Sequence, residues 1–402
     1  MPEGTRGSLF ILLRRIIDEI SQAGPITFAR FMELALYDER EGYYMTAAVV
    51  DGAPSPAESR IGWSGDFFTA SDAHWLLGRC LEKQIDEIDV LLGHPVQFTV
   101  LEMGPGKGLL ARDVLQACLE SESDYSQRLR YVLIEHSPIM RQAQEENLRE
   151  FVEKGWAIEW FASLDELAPE SVEGVMVSNE LVDAFPVHRV KLAEHGLREI
   201  FVDHQDGELF ERLGDVSTTA IPAYFAGIQN EWPEGYTTEA HLESERWMQD
   251  VARVLGRGFV LTIDYGHTAQ DYYDVSRKDG TLLCYHKHRV SSDPYVRVGA
   301  QDMTAHVNFS ALAKRGLEAG LQITGFTNLM SFLLGLKADR MLEALDPESA
   351  EMQAAIQFLR PQSMGQTFKV LIQHTRVETP SLAGLTYRPF FEGALLGPGL
   401  EN

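Results

Sequence analysis

Glu102-Met103-Gly104-Pro105-Gly106-Lys107-Gly108 brings together one acid and three glycines at alternate positions. A short apolar strand pattern over residues 98–101 precedes it, and a helical pattern over 109–119 follows. A strand, a glycine turn and a helix in that order open a nucleotide-type site in a doubly wound sheet. The glycines let the backbone turn tightly and come close to a ligand. A dinucleotide fingerprint needs its last glycine at position 109, where this chain has Leu109. Glu102 would repel a pyrophosphate. S-adenosylmethionine (SAM) has no phosphate and carries a sulfonium and an ammonium, so an acid there favours it. The spacing points to SAM before NAD, against the plainer reading of a tight turn with no ligand.

In such a sheet, ligands bind beyond the carboxyl ends of the strands, so the strand-end residues are the next candidates. The second strand ends in Glu135-His136-Ser137. Glu135 can take both hydroxyls of a ribose, or can be an acid favoured by the following helix dipole. The third ends in Ser178-Asn179-Glu180-Leu181-Val182-Asp183. Glu180 and Asp183 can hold a cation or accept a proton, and paired carboxylates suit a planar guanidinium. Capping by Asn179 with solvated acids explains the same residues. Tyr265, after Asp264, can stack on a ligand or fill the core. His286 and His288 sit in a loop pattern without the register a metal site needs, so no metal is expected.

The elements that must position these residues alternate. Strand patterns cover residues 97–101, 130–134, 174–178, 258–263, 321–326 and 367–374. Helical patterns at 109–119 and 138–153 supply crossovers for parallel strands. Residues 1–95 read as mostly helical, with helices at 9–22, 28–37 and 73–92 and a Pro/Gly/Ser/Ala loop at 47–62. Residues 187–213 alternate as a hairpin around the turn Asp206-Gly207, and a helix over 239–255 leads back to the sheet. The segment 266–306 reads as a long loop. The expected organisation is an N-terminal helical region (1–95), a core (96–186 and 257–376), an insertion over the cleft (187–256) and a C-terminal tail (377–402).

Composition excludes several classes. Three cysteines, Cys80, Cys118 and Cys284, form neither a disulfide framework nor a zinc ribbon. A formal net charge of −25 disfavours nucleic acid and anionic membranes and is compatible with a basic protein substrate. The apolar run at 9–13 is cut off by Arg14 and Arg15, too short for a membrane span. Early acids argue against a transit peptide, so the expected location is the cytoplasm.

Further blocks join the glycine loop in order. They are Gly24 to Met32 with Tyr37 and Gly42-Tyr43-Tyr44, then Gly65-Asp66-Phe67-Phe68-Thr69-Ala70-Ser71-Asp72, then 178–187 and Ile263-Asp264-Tyr265-Gly266. Gly280-Thr281-Leu282, Asp302 to Val307, and Met364-Gly365 with 368–371 complete the set. Together they resemble the MidA-like family, which includes a mitochondrial arginine methyltransferase of complex I assembly. The resemblance implies an α/β class I SAM-dependent methyltransferase fold, Rossmann-like, with a seven-stranded doubly wound sheet whose last strand is antiparallel. It implies SAM contacts at Glu102, Gly104, Gly106, Gly108, Glu135 and Asn179, with Phe68 and Thr69 in a segment folded over the ligand. S-adenosylhomocysteine would be the product. It further implies a protein substrate, a complex I subunit among the candidates, with Glu180 and Asp183 near the guanidinium and Asp302 and His306 in support. Asn308 stands where many members carry an acid. A homodimer is compatible with the reading, and so are a silent assembly factor and a small-molecule methyltransferase.

Overall fold

The computed structural model describes residues 3–46, 49–50, 53–54, 74–228, 231–387 and 392–396. Two compact units divide the chain. One takes Met1–Phe67, Asp183–Arg246 and Ala269–Asn308, and the other takes Phe68–Val182, Trp247–Thr268 and Phe309–Asn402.

The second unit is built on seven strands: β1 (Phe98–Met103), β2 (Leu129–Ile134), β3 (Ala157–Phe161), β4 (Val172–Asn179), β5 (Leu255–His267), β6 (Gln322–Asn328) and β7 (Phe368–Thr375). Their order across the sheet is β3-β2-β1-β4-β5-β7-β6. β1 to β5 pair in parallel. β7 runs antiparallel to both its neighbours. The order reverses between β1 and β4, which makes their carboxyl ends the switch point where a doubly wound sheet binds ligand. Every residue of β1 is buried, as expected of a central parallel strand covered on both faces. Helices α1 (Leu76–Leu91), α2 (Leu109–Ser121) and α3 (Pro138–Asn147) belong to this unit. Leu77, Ile85 and Leu115 from α1 and α2 share one core with Val100, Phe259, Val370 and Phe332. α3 begins where its sequence says it must. Ser137 caps it by accepting from the Met140 N–H, and Pro138 fills the first helical position.

The doubly wound order and the antiparallel β7 match the expected class I fold, while the sheet counts eight strands among the described residues rather than the expected seven. The strand not anticipated from residue patterns is β3. It lies at the sheet edge, half open to solvent, and Glu159 interrupts its short apolar run.

The first unit has its own core. Leu12, Ile16 and Ile20 are buried at four-residue spacing along the helix Glu3–Ala23. They join Phe28, Phe31, Met32, Val187, Val202 and Met303. The helix Phe28–Tyr37 is capped by Thr27, whose Oγ1 accepts from the Arg30 N–H at 3.1 Å. An antiparallel sheet combines Ile26–Thr27, His188–Ala193, Gly196–Gln205, Glu208–Gly214 and Thr237–Ala240. Asp206 and Gly207 both have positive φ, the geometry of the expected two-residue hairpin turn.

Two local expectations give way here. Thr237–Ala240 is a strand against His188–Ala193, so the helix expected from 239 begins at Leu242. Pairing overrides the helical pattern, helped by the β-branched Thr237 and Thr238. The segment 266–306 is not a bare loop. It contains the helix Ala269–Tyr272 and a three-stranded sheet, Leu283–His286, Arg289–Ser291 and Asp302–Thr304. These strands are three or four residues long. They are joined in part by Lys287-His288, which carries no turn signature.

Candidate functional site

At the switch point, Gly104, Gly106 and Gly108 have φ of 65°, 52° and 77°. L side chains rarely adopt these values, so the loop depends on glycine at each step. A Cβ on Gly104 would also lie 2.7 Å from Leu181 Cδ1, whereas no atom of the described residues stands within 4 Å of one on Gly106. The backbone at Gly106 thus borders open space, the cradle a bound ligand needs.

Glu102 lies inside β1 rather than after it. By strand alternation it shares a face with Phe98 and Val100. Its Oε2 accepts from the Tyr131 hydroxyl at 2.7 Å. Burial pushes its pKa up to about 7, opposed by the Tyr131 bond and reinforced by Asp113.

Glu135, at the end of β2, accepts from the Ser137 N–H at 2.7 Å and from Gln144 Nε2 at 2.8 Å. Gln144 Nε2 also donates to the Gly106 carbonyl at 2.6 Å, and Trp160 Nε1 donates to Gln144 Oε1 at 3.1 Å. One glutamine on α3 therefore ties the acid of β2 to the glycine loop. Burial of the carboxylate raises Glu135 to about 7, against the lowering effect of the Ser137 and Gln144 bonds.

Asn179 ends β4. Its Nδ2 donates to Glu180 Oε1 at 3.2 Å, and its Oδ1 is buried with no hydrogen-bond partner among the described residues. An unpartnered buried acceptor is costly unless a ligand or water supplies a donor. The ammonium of SAM would do so, and the residues at this strand end fit that cofactor. Glu180 has φ of 53°, uncommon for a side-chain-bearing residue, and its N–H donates to Ile263 O at 3.0 Å. Asp264, fully buried, accepts from the Val182 N–H at 3.0 Å and the Tyr265 N–H at 2.9 Å. It fixes the turn that follows Asn179.

In the first unit, Asp183 and Asp302 are both buried. The Asp183 carbonyl accepts from the Ala305 N–H at 2.9 Å, and the Ala184 carbonyl accepts from the Tyr37 hydroxyl at 2.9 Å. The Tyr44 hydroxyl donates to Asp302 Oδ1 at 2.7 Å, and its ring stacks on Tyr37. Burial first, then the charges of Asp302 and Asp183 among others, push the Tyr44 pKa well above its usual value. Both acids therefore act on one hydroxyl. Beside them, buried Glu239 accepts from the Tyr272 hydroxyl and from the Thr281 N–H and Oγ1. The Tyr272 hydroxyl also meets His241 Nε2 at 2.9 Å, and Thr281 Oγ1 accepts from the His306 N–H. Asn308 Nδ2 donates to the Tyr224 and Tyr273 hydroxyls.

Phe68 and Thr69, with the block 65–72 and the turn-rich segment 55–62, lie outside the described residues. The Tyr265 ring meets Phe368 edge-on and packs against the core. Among the described residues no group of three His, Cys, Asp or Glu side chains is placed to hold a metal, and none of their helices is long and apolar enough to cross a membrane. Tyr131, Gln144 and Glu239 carry no motif that singles them out. Only Gln144, on the glycine-facing side of α3, could have been reached by counting helical turns from Ser137.

Residues 76–327 match the model of a family of S-adenosyl-L-methionine-dependent methyltransferases. The chain belongs to that MidA-like family. A methyltransferase of Burkholderia thailandensis, solved bound to S-adenosyl-homocysteine, is 30% identical with a TM-score of 0.85, covering 96% of this chain and 97% of its own. The mitochondrial protein arginine methyltransferase NDUFAF7 of Bos taurus is 27% identical, with 91% of this chain and 84% of the relative covered. Its Drosophila melanogaster homologue is 27% identical over 92% of this chain and 85% of its own. This MidA-like chain is a SAM-dependent methyltransferase, and SAM is its cofactor. The cytoplasmic expectation does not stand, because the curated relatives from cattle, mouse and human are all named mitochondrial.

Proposed function

We propose that this methyltransferase transfers the SAM methyl group to an arginine side chain of a protein. The observation that carries this reading is the pair of buried acids, Asp183 and Asp302, acting on the same tyrosine. Carboxylates at these positions suit a planar cation with several N–H donors. Guanidinium is that cation, and the relatives named protein arginine methyltransferases support it. A respiratory complex I subunit is the acceptor protein suggested by the family resemblance.

In this reading Gly104, Gly106 and Gly108 let the main chain approach the cofactor, while Glu135 takes the ribose hydroxyls. Asn179 Oδ1 would accept from the ammonium, and Glu102, when ionised, would favour the cationic cofactor. The cofactor supplies an electrophilic methyl on its sulfonium. Glu180 and Asp183 are the acids that would hold the guanidinium and accept the proton it sheds. Alignment does most of the work, since a bound pair reacts as one molecule.

The test is mass spectrometry of arginine-bearing protein substrates incubated with the full chain and SAM. Methylarginine is expected. Asp183→Asn should lower kcat/KM by roughly a hundredfold, the loss of charged hydrogen bonds worth about 3 kcal/mol, with SAM affinity unchanged. Methylation confined to lysine, to carboxyl groups or to small molecules would overturn the arginine assignment and leave the SAM site intact.

A further inference from the structure

The first unit contains a cavity of about 530 Å³ lined by Cys284, His286, Lys287, Arg289, Ser291, Arg297 and Gln301. Its volume is within the ~300–1,000 Å³ usual for small-ligand sites. Its charge runs against the rest of the molecule. The chain carries a net −25, yet among the described residues lining this cavity three are Lys or Arg, a fourth is a histidine and none is acidic.

Two of the cations are unspent. Among the described residues neither the Arg289 nor the Arg297 guanidinium makes a hydrogen bond or an ion pair. The nearby Asp293 does not answer them from the lining: its Oδ1 accepts from the Tyr295 N–H at 2.9 Å. Gln301 adds a second, independent observation. It is 1% exposed, its Nε2 donates to the Asp293 carbonyl at 2.9 Å, and its Oε1 has no hydrogen-bond partner among the described residues. A buried amide left half satisfied in a cavity wall marks a place where a ligand brings a donor.

The backbone supports the same conclusion. The hairpin between Leu283–His286 and Arg289–Ser291 turns on two residues only, Lys287 and His288, with φ of 50° and 56°. Such a turn is ordinarily made by Asn-Gly, which adopts positive φ without strain. Here a lysine and a histidine take that strain, and it brings Lys287 into the cavity wall beside Arg289. Strain of this kind persists where surrounding structure holds it, and it concentrates at ligand sites.

We infer that this cavity is a binding site for an oxyanion, a phosphate or a carboxylate, carried by a ligand that also offers a hydrogen-bond donor. Arg289 and Arg297 would grip the anion through their planar N–H edges, and Gln301 Oε1 would accept from the donor. A hydrogen phosphate and an acidic amino acid with its N–H both have this chemistry, so the probes separate the two sources.

Inorganic phosphate and N-acetylglutamate would each be titrated into the full chain by calorimetry at low salt, with S-adenosylhomocysteine affinity measured alongside. Saturable binding of at least one probe is expected. It should weaken at least tenfold in the Arg289→Gln/Arg297→Gln double variant, the loss of two charge-assisted contacts, with S-adenosylhomocysteine affinity unchanged. Binding of phosphate alone identifies a phosphate-bearing ligand, and binding of N-acetylglutamate alone an acidic one. Ser291→Asp keeps both arginines and adds an anion to the wall. It should abolish binding even if the double variant fails to fold. No binding of either probe to the wild type, or undiminished binding in Ser291→Asp or in a folded double variant, would overturn the assignment.

Discussion

At the residue scale the candidate site contains two carboxylates whose pKa burial raises. Glu102 and Glu135 both have pKa values raised to about 7. The folded chain therefore holds more protons than the unfolded chain between pH 4.5 and 7. Stability from these two groups is greatest below pH 4.5, falls as pH rises through that window and is level above it. Affinity for a cationic cofactor runs the other way, because only the ionised acid attracts it. SAM binding should strengthen by up to about tenfold per group from pH 6 to pH 8, following the ionised fraction. Calorimetry of wild type against Glu102→Gln and Glu135→Gln would show it, each variant flattening the profile. Glu135→Gln should also cost roughly tenfold to a hundredfold in SAM affinity at pH 8, where charged hydrogen bonds are worth about 1.5–3 kcal/mol. A flat profile in the wild type would remove both acids from cofactor binding.

At the element scale the sheet is pinned where three strands come closest. Thr99 of β1, Gly174 of β4 and Gly258 of β5 sit side by side in register. A Cβ on Gly174 would lie 2.1 Å from the Thr99 carbonyl oxygen, and one on Gly258 would lie 1.9 Å from the Gly174 oxygen. No side chain can rotate away from a clash with backbone. Gly174→Ala should destabilise the protein by on the order of 3 kcal/mol, read as a lower denaturant midpoint with unchanged slope. β4 also carries Asn179 and the turn to Asp183, so the residual folded protein should bind SAM more weakly. The elements legible in the sequence were those with a clean period, such as β1, β7 and the helix Phe28–Tyr37. β3 and the strands between 283 and 304 were not, because three to five residues hold too little periodicity to separate strand from loop.

At the scale of the whole molecule, the net charge of −25 sets how partners arrive. A basic acceptor protein would be steered to the enzyme by a long-range field that salt screens, with a Debye length of about 10 Å at 0.1 M. kcat/KM for a basic protein substrate should fall several-fold from 50 to 300 mM salt, mostly through KM, while a neutral arginine peptide changes little. Equal salt responses for the two substrates would show that the field plays no part in recognition.

The sequence by itself determined the donor side. Glycines at alternate positions, an acid before them and another at the next strand end are local features, because each lies within a few residues of the backbone it shapes. From them followed the doubly wound sheet and SAM. The tertiary structure alone decided what these residues touch. Gln144 reaches Glu135 and the Gly106 carbonyl from a different helix. Asp264 fixes the turn after Asn179 from β5. Asp302 is brought into charge reach of Tyr44 together with Asp183, and Tyr44 lies 258 residues away in the chain. Hydrogen bonds and charges act through space, and no spacing along the chain encodes a contact made by segments that meet only when folded.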